Sequence, residues 1–82
     1  MAKTFHLTIA KVGENLFDGE VASVSLPGVE GTFEVLAGHE ALVSELRSGE
    51  VRVVPPEDAI KRFSIGDGGI AEVSGNQATI LL

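Results

Sequence analysis

The 82-residue chain has room for a single domain, 1–82, and no more. It contains no cysteine, which excludes a disulfide framework and a thiolate metal site. Its 12 acidic residues outnumber 6 basic ones, and the resulting net charge of −6 repels phosphate backbones, so nucleic acid is not an expected partner.

Hydrophobic residues at 44% and charged residues at 22% match an ordinary globular domain, which argues against global disorder. Four phenylalanines are the only aromatics, so valine, isoleucine, leucine and alanine must build the core. A chain this short buries only about 60–65% of its unfolded surface, and that core is thin. No apolar run reaches the roughly 20 residues that cross a bilayer. The opening MAKTFHLTIAK lacks the apolar stretch of a signal peptide, and a cytoplasmic protein is the expectation.

Period-two alternation broken by glycine runs through the chain. Phe5, Leu7 and Ile9 share one face of a first strand, with His6, Thr8 and Ala10 on the other. Val12 to Asn15 read as a turn, and Asp18-Gly19 as a second turn or bulge. A strand then runs from Glu20 to Leu26, with Ala22, Val24 and Leu26 apolar and Val21, Ser23 and Ser25 opposite. Pro27-Gly28 is expected to end it, because proline lacks a ladder donor.

Phe33 and Val35 mark the next strand, which Gly38-His39 breaks. Glu40 to Leu46 fit a short helix or a strand, and the missing capping signal favours strand or turn. Val51 and Val53 alternate with Arg52 and Val54, and a loop follows at Pro55 to Asp58. Phe63 and Ile65 point inward from another strand, and Gly66 to Gly69 read as a tight hairpin connection. Ala71 and Val73 oppose Ile70 and Glu72, Ser74-Gly75-Asn76 signals a hairpin, and the last strand carries Ala78, Ile80 and Leu82 on one face. The expectation is an all-β fold, a flattened two-sheet sandwich or barrel of about eight to ten short, mostly antiparallel strands.

Catalytic chemistry finds no footing. His6 and His39 are the only imidazole bases, neither sits in a nucleophile motif, and His6 alternates onto the solvent face. Two histidines so far apart do not make a zinc site. Glu57-Asp58 reads as loop solvation rather than acid–base machinery. The run Ile65-Gly66-Asp67-Gly68-Gly69-Ile70 lacks the Lys-Ser/Thr step and the helix that a phosphate cradle needs. No cofactor and no metal are expected. A carbohydrate module would need an exposed aromatic platform, and the chain has neither Trp nor Tyr.

Read together, FHLTIAK, LFDGEVASVSLPGVEG, TFEVLAGHEALVSEL, GEVRV and FSIGDGGIAEVSGNQATILL resemble, in order and spacing, the N-terminal β-sandwich domain of the ATP synthase epsilon subunit (delta in mitochondria). The resemblance implies a non-catalytic rotor subunit in the central stalk of a proton- or sodium-translocating F-type ATP synthase. Such a subunit links gamma to the c-ring, couples ion flow to ATP synthesis, and lies on the cytoplasmic face of the bacterial inner membrane. By position, Glu30, Gly31 and Thr32 would face the c-ring, and Gly38, His39, Glu40 and Leu42 would face gamma.

Departures stand at two places. The family commonly has Gly-Glu-Leu-Gly where this chain has Gly31-Thr32-Phe33-Glu34, and Pro-Gly-His-Ala-Pro where it has Ala37-Gly38-His39-Glu40-Ala41. Family members usually continue into a two-helix hairpin, absent from this sequence, so helix-mediated inhibition and ATP sensing are not expected of it. The alternative reading is a stand-alone β-sandwich adaptor.

Overall fold

The computed structural model describes residues 3–82 and contains nine strands and no helix among them. They are β1 (Phe5–Lys11), β2 (Glu14–Val21), β3 (Ser23–Gly28), β4 (Gly31–Leu36), β5 (Leu42–Glu45), β6 (Gly49–Val54), β7 (Lys61–Ile65), β8 (Ile70–Ser74) and β9 (Gln77–Leu81). They form a five-stranded sheet, β2-β1-β9-β8-β5, against a four-stranded sheet, β4-β3-β6-β7. The sheets face each other without closing, so the fold is a sandwich and not the barrel that the alternation also allowed. Every pairing is antiparallel except β1 with β9.

Alternation places the core. Phe5, Leu7 and Ile9 of β1, with Ala71, Val73, Ala78 and Ile80, line the inner face of the larger sheet. Val24, Leu26, Val35, Val51 and Val53 line the smaller one. Phe17 of β2 and Phe63 of β7 meet edge to face across one side of the sandwich, with ring centroids 6.4 Å apart.

The sequence expectation fails where the chain changes sheet. Instead of one strand over Glu20–Leu26, β2 ends at Val21 in the larger sheet and β3 begins at Ser23 in the smaller one. Ala22 makes the crossing, its N–H donating to the Val54 carbonyl at 2.7 Å. The crossing resets the parity, so Val21, assigned to the polar face, is fully buried, as is Val24. Asp18-Gly19 is no turn: both residues lie in β2, opposite Thr8 and Leu7. A residue pair of low strand propensity is tolerated there because β2 is an edge strand. The first hairpin turn is confined to Val12-Gly13, with β2 starting at Glu14, and the bulge falls at Leu16, between the Ile9–Phe17 and Ala10–Asn15 pairs.

Pro27-Gly28 ends its strand as expected, but from within it: the two are the last residues of β3 and still pair with Thr32 and Gly31 of β4. The β3–β6 ladder stops at Ser25–Arg52, and the Pro27 carbonyl accepts from Arg47 N at 2.9 Å. Since N–H and C=O of one strand residue point the same way, the missing donor falls beyond the ladder and costs no strand bond. Gly66 to Gly69 is a crossover from β7 to β8, not a hairpin, because those strands belong to different sheets. Leu46 N donates to Gly69 O at 2.7 Å, Gly68 N to Leu46 O at 3.3 Å, and Ser48 N to Asp67 Oδ1 at 2.8 Å, which locks this crossover to the β5–β6 link.

Candidate functional site

The residues singled out for partner binding lie in two connections flanking β4. The first is the β3–β4 hairpin, where Gly28 pairs with Gly31 across Val29 and Glu30. Its base is anchored to the larger sheet's side: Val29 N donates to Glu45 O at 3.1 Å, and Gly28 forms a bridge with Leu46. Gly28 is required by close approach, because a Cβ there would lie 2.9 Å from both the Gly31 carbonyl oxygen and the Phe33 ring. Glu30, Gly31 and Thr32 are all exposed, and the Glu30 carboxylate has no side-chain partner among the described residues. The tip is therefore an acidic, anchored projection.

The second connection carries the chain from β4 to β5. His39 N donates to Leu36 O at 3.1 Å, and Gly38 has φ 83°, the left-handed value that the third residue of a type II turn demands. His39 is half-buried, with its Nδ1 at 2.6 Å from the Glu40 carbonyl oxygen, which fixes the ring against its own loop. Gly38 and Glu40 are exposed. Leu42 is different: it pairs with Val73 and packs against the core, leaving only part of its side chain to offer a partner.

The two groups are not brought together. Gly31 and the turn that carries Gly38, His39 and Glu40 lie at opposite ends of the six-residue β4, five residue steps of roughly 3.4 Å or roughly 17 Å apart, whereas Leu42 is on β5, whose Glu45 carbonyl accepts from Val29 N. One ligand pocket cannot contain both; two separate contacts can.

A further surface escaped the sequence reading. On the outer face of the larger sheet, Ala10, Leu81 and Ile70 stand side by side across β1, β9 and β8. Leu81 is 57% and Ile70 43% exposed, and Val43 on β5, one row along beside Glu72, is 70% exposed. The exposure of single members was legible in adjacent apolar pairs, Leu42-Val43, Ile70-Ala71 and Ile80-Leu81, each of which forces one residue onto the solvent face. Toward β2 the same face becomes acidic, with Asp18 and Glu20 flanking His6. Their contacts raise the His6 pKa above 6.5, the Asp18 hydrogen bond contributing most. Among the described residues no three histidines and carboxylates group as a metal site would require, and no helix is long and apolar enough to cross a membrane.

The delta/epsilon-chain β-sandwich domain of ATP synthase matches residues 4–82. The ATP synthase epsilon chain of Chlorobium limicola is 42% identical over 79 residues, covering 96% of this chain and 89% of that protein. The epsilon chain of Chlorobaculum tepidum is 43% identical with the same coverage. That of a Janthinobacterium species is 36% identical, and there the chain spans 58% of the relative's length.

Among solved structures, a chain of the Euglena gracilis mitochondrial ATP synthase, in an assembly of OSCP, F1 and c-ring, superposes with a TM-score of 0.87 at 29% identity. The match covers 95% of this chain and 49% of that one. A chain of the Tetrahymena thermophila mitochondrial ATP synthase central stalk and c-ring shares the fold, with a TM-score of 0.77 at 13% identity over 96% of this chain and 63% of its own. With the family domain matched from residue 4 to the last residue and two relatives above 40% identity, this chain belongs to the ATP synthase delta/epsilon-chain family.

Proposed function

We propose that this chain is a non-catalytic subunit of the central stalk of an F-type ATP synthase, joining gamma to the c-ring so that ion flow is coupled to ATP synthesis. The observation that carries the reading is the separation of the two connections along β4, which lets one body hold two partners at once. In this reading the Glu30-Gly31-Thr32 hairpin meets the polar loops of the c-ring. Gly38, His39, Glu40 and the exposed part of Leu42 meet gamma, and the strip of Val43, Ile70 and Leu81 extends that contact along the sheet face. The subunit then lies at the cytoplasmic face of the bacterial inner membrane, held there through the complex. The transported ion is a proton or sodium.

A sandwich suits torque transmission. Cross-bonded strands resist shear, and a close-packed interior deforms little, so force applied at one end of β4 reaches the other.

Pull-down with isolated gamma and with c-ring tests the proposal, both being expected to retain the chain. His39→Glu, which places a carboxylate beside Glu40, is expected to weaken gamma binding and leave c-ring binding and the far-ultraviolet spectrum unchanged. Failure to retain either partner would favour a stand-alone adaptor. Unchanged gamma affinity in His39→Glu would move the gamma contact away from the β4–β5 connection.

A further inference from the structure

The acidic end of the larger sheet's outer face holds a cluster that the partner surfaces do not use. His6 on β1 stands between two carboxylates of β2. Its Nδ1 lies 3.2 Å from Glu20 Oε2, and its Nε2 meets Asp18 Oδ1. Register explains the arrangement: Glu20 is directly opposite His6, and Asp18, opposite Thr8, is its diagonal neighbour on the same face. Thr4 Oγ1 donates to the other Glu20 oxygen, Oε1, at 2.9 Å.

A neutral imidazole offers one N–H and one lone pair, and an ionised carboxylate only accepts. With a carboxylate oxygen at each ring nitrogen, one contact is always repulsive in the neutral form. The imidazolium donates from both nitrogens and satisfies both. Among the described residues, no charged group of another element forms an ion pair or hydrogen bond with His6. From β9 the side chain opposite His6 is the uncharged Gln77, and the β8–β9 turn contributes the Asn76 carbonyl to the His6 backbone N–H at 3.1 Å. The next carboxylate on this face, Glu72 of β8, lies one row along and beyond Thr79.

We infer that His6, Asp18 and Glu20 form a pH-sensitive clasp that ties edge strand β2 to β1, closed while the imidazole is charged and loosened when it loses its proton. β2 needs such a tie more than an inner strand does. It is hydrogen-bonded to β1 alone, bulges at Leu16 and carries Gly19 in mid-strand. The Asp18 hydrogen bond is the main cause that raises the folded-state pKa, Glu20 adds to it, and desolvation opposes both. A raised folded value means that the clasp's contribution is fully present below 6.5, the ordinary imidazole value, and is lost as pH rises through the folded pKa. The sensitive window therefore opens just above 6.5.

The test is a proton NMR titration of the full chain carrying His39→Gln, so that His6 is the only imidazole observed, together with thermal unfolding between about pH 6 and about pH 9. The expected His6 midpoint lies above 6.5 and falls in Asp18→Asn. The unfolding midpoint is expected to drop across this range, and His6→Gln to lose most of that drop. A His6 midpoint at or below 6.5, or a drop that His6→Gln leaves intact, overturns the inference. Should His6→Gln fail to fold, the Asp18→Asn titration decides: a midpoint unmoved by removing the Asp18 charge refutes the clasp.

Discussion

Truncating Leu81 and Ile70 to alanine asks whether the apolar strip is a binding surface. Burying a whole leucine or isoleucine side chain is worth about 1.5–3 kcal/mol. Leu81 retains 57% and Ile70 43% of its exposure in the isolated chain, so complete coverage by a partner adds roughly 1–1.5 kcal/mol for each. Single substitutions should then raise the Kd for gamma by about 5–10-fold, since about 1.4 kcal/mol is tenfold. The double variant should reach roughly 25–100-fold if the effects add, and the two residues are directly paired across β8 and β9, so they need not. Calorimetric titration with gamma measures the affinity, and urea unfolding verifies that each variant is folded. A folded double variant binding gamma within twofold of the parent would show that gamma leaves this face uncovered, and the energetic reasoning would fail.

Two further predictions concern the body of the sandwich. Leu26→Ala removes a side chain with no exposed surface from between the sheets and should cost about 2–5 kcal/mol in urea unfolding. A domain of this size has roughly 4–12 kcal/mol in total, so this substitution consumes much of its stability, and a loss below about 1 kcal/mol would contradict the assigned core. Gly28→Ala should destabilise by about 1–3 kcal/mol, because its methyl would sit 2.9 Å from backbone oxygen and the Phe33 ring. The same melts check it, and an unchanged midpoint would show that the hairpin base has room it is not expected to have.

Some features were readable from residue order alone. Phe5, Leu7 and Ile9 against His6, Thr8 and Ala10 define the two faces of β1 without reference to any neighbour, because side chains alternate along an extended strand. The same rule placed Val51, Val53, Phe63 and Ile65 inward, and the turn residues Ser74-Gly75-Asn76 signalled the β8–β9 hairpin. The order and spacing of the segments from FHLTIAK to the closing strands carried the resemblance, and through it the candidate contacts at Glu30 to Thr32 and at Gly38 to Leu42.

What residue order did not decide was which sheet a strand joins. Val21 and Val24 both reach the core only because the chain passes between layers at Ala22, held by the Val54 carbonyl on a strand more than thirty residues away. Pro27 remains inside β3 because the β6 ladder has already ended on its donor side. Asp18-Gly19 stays extended on an edge strand whose carboxylates find His6. Each outcome depends on hydrogen-bond partners distant in sequence, and a local pattern holds no information about them. Whether Ile70 and Leu81 form a strip or stand apart likewise rests on β8 pairing with β9, a choice made by the assembled sheet.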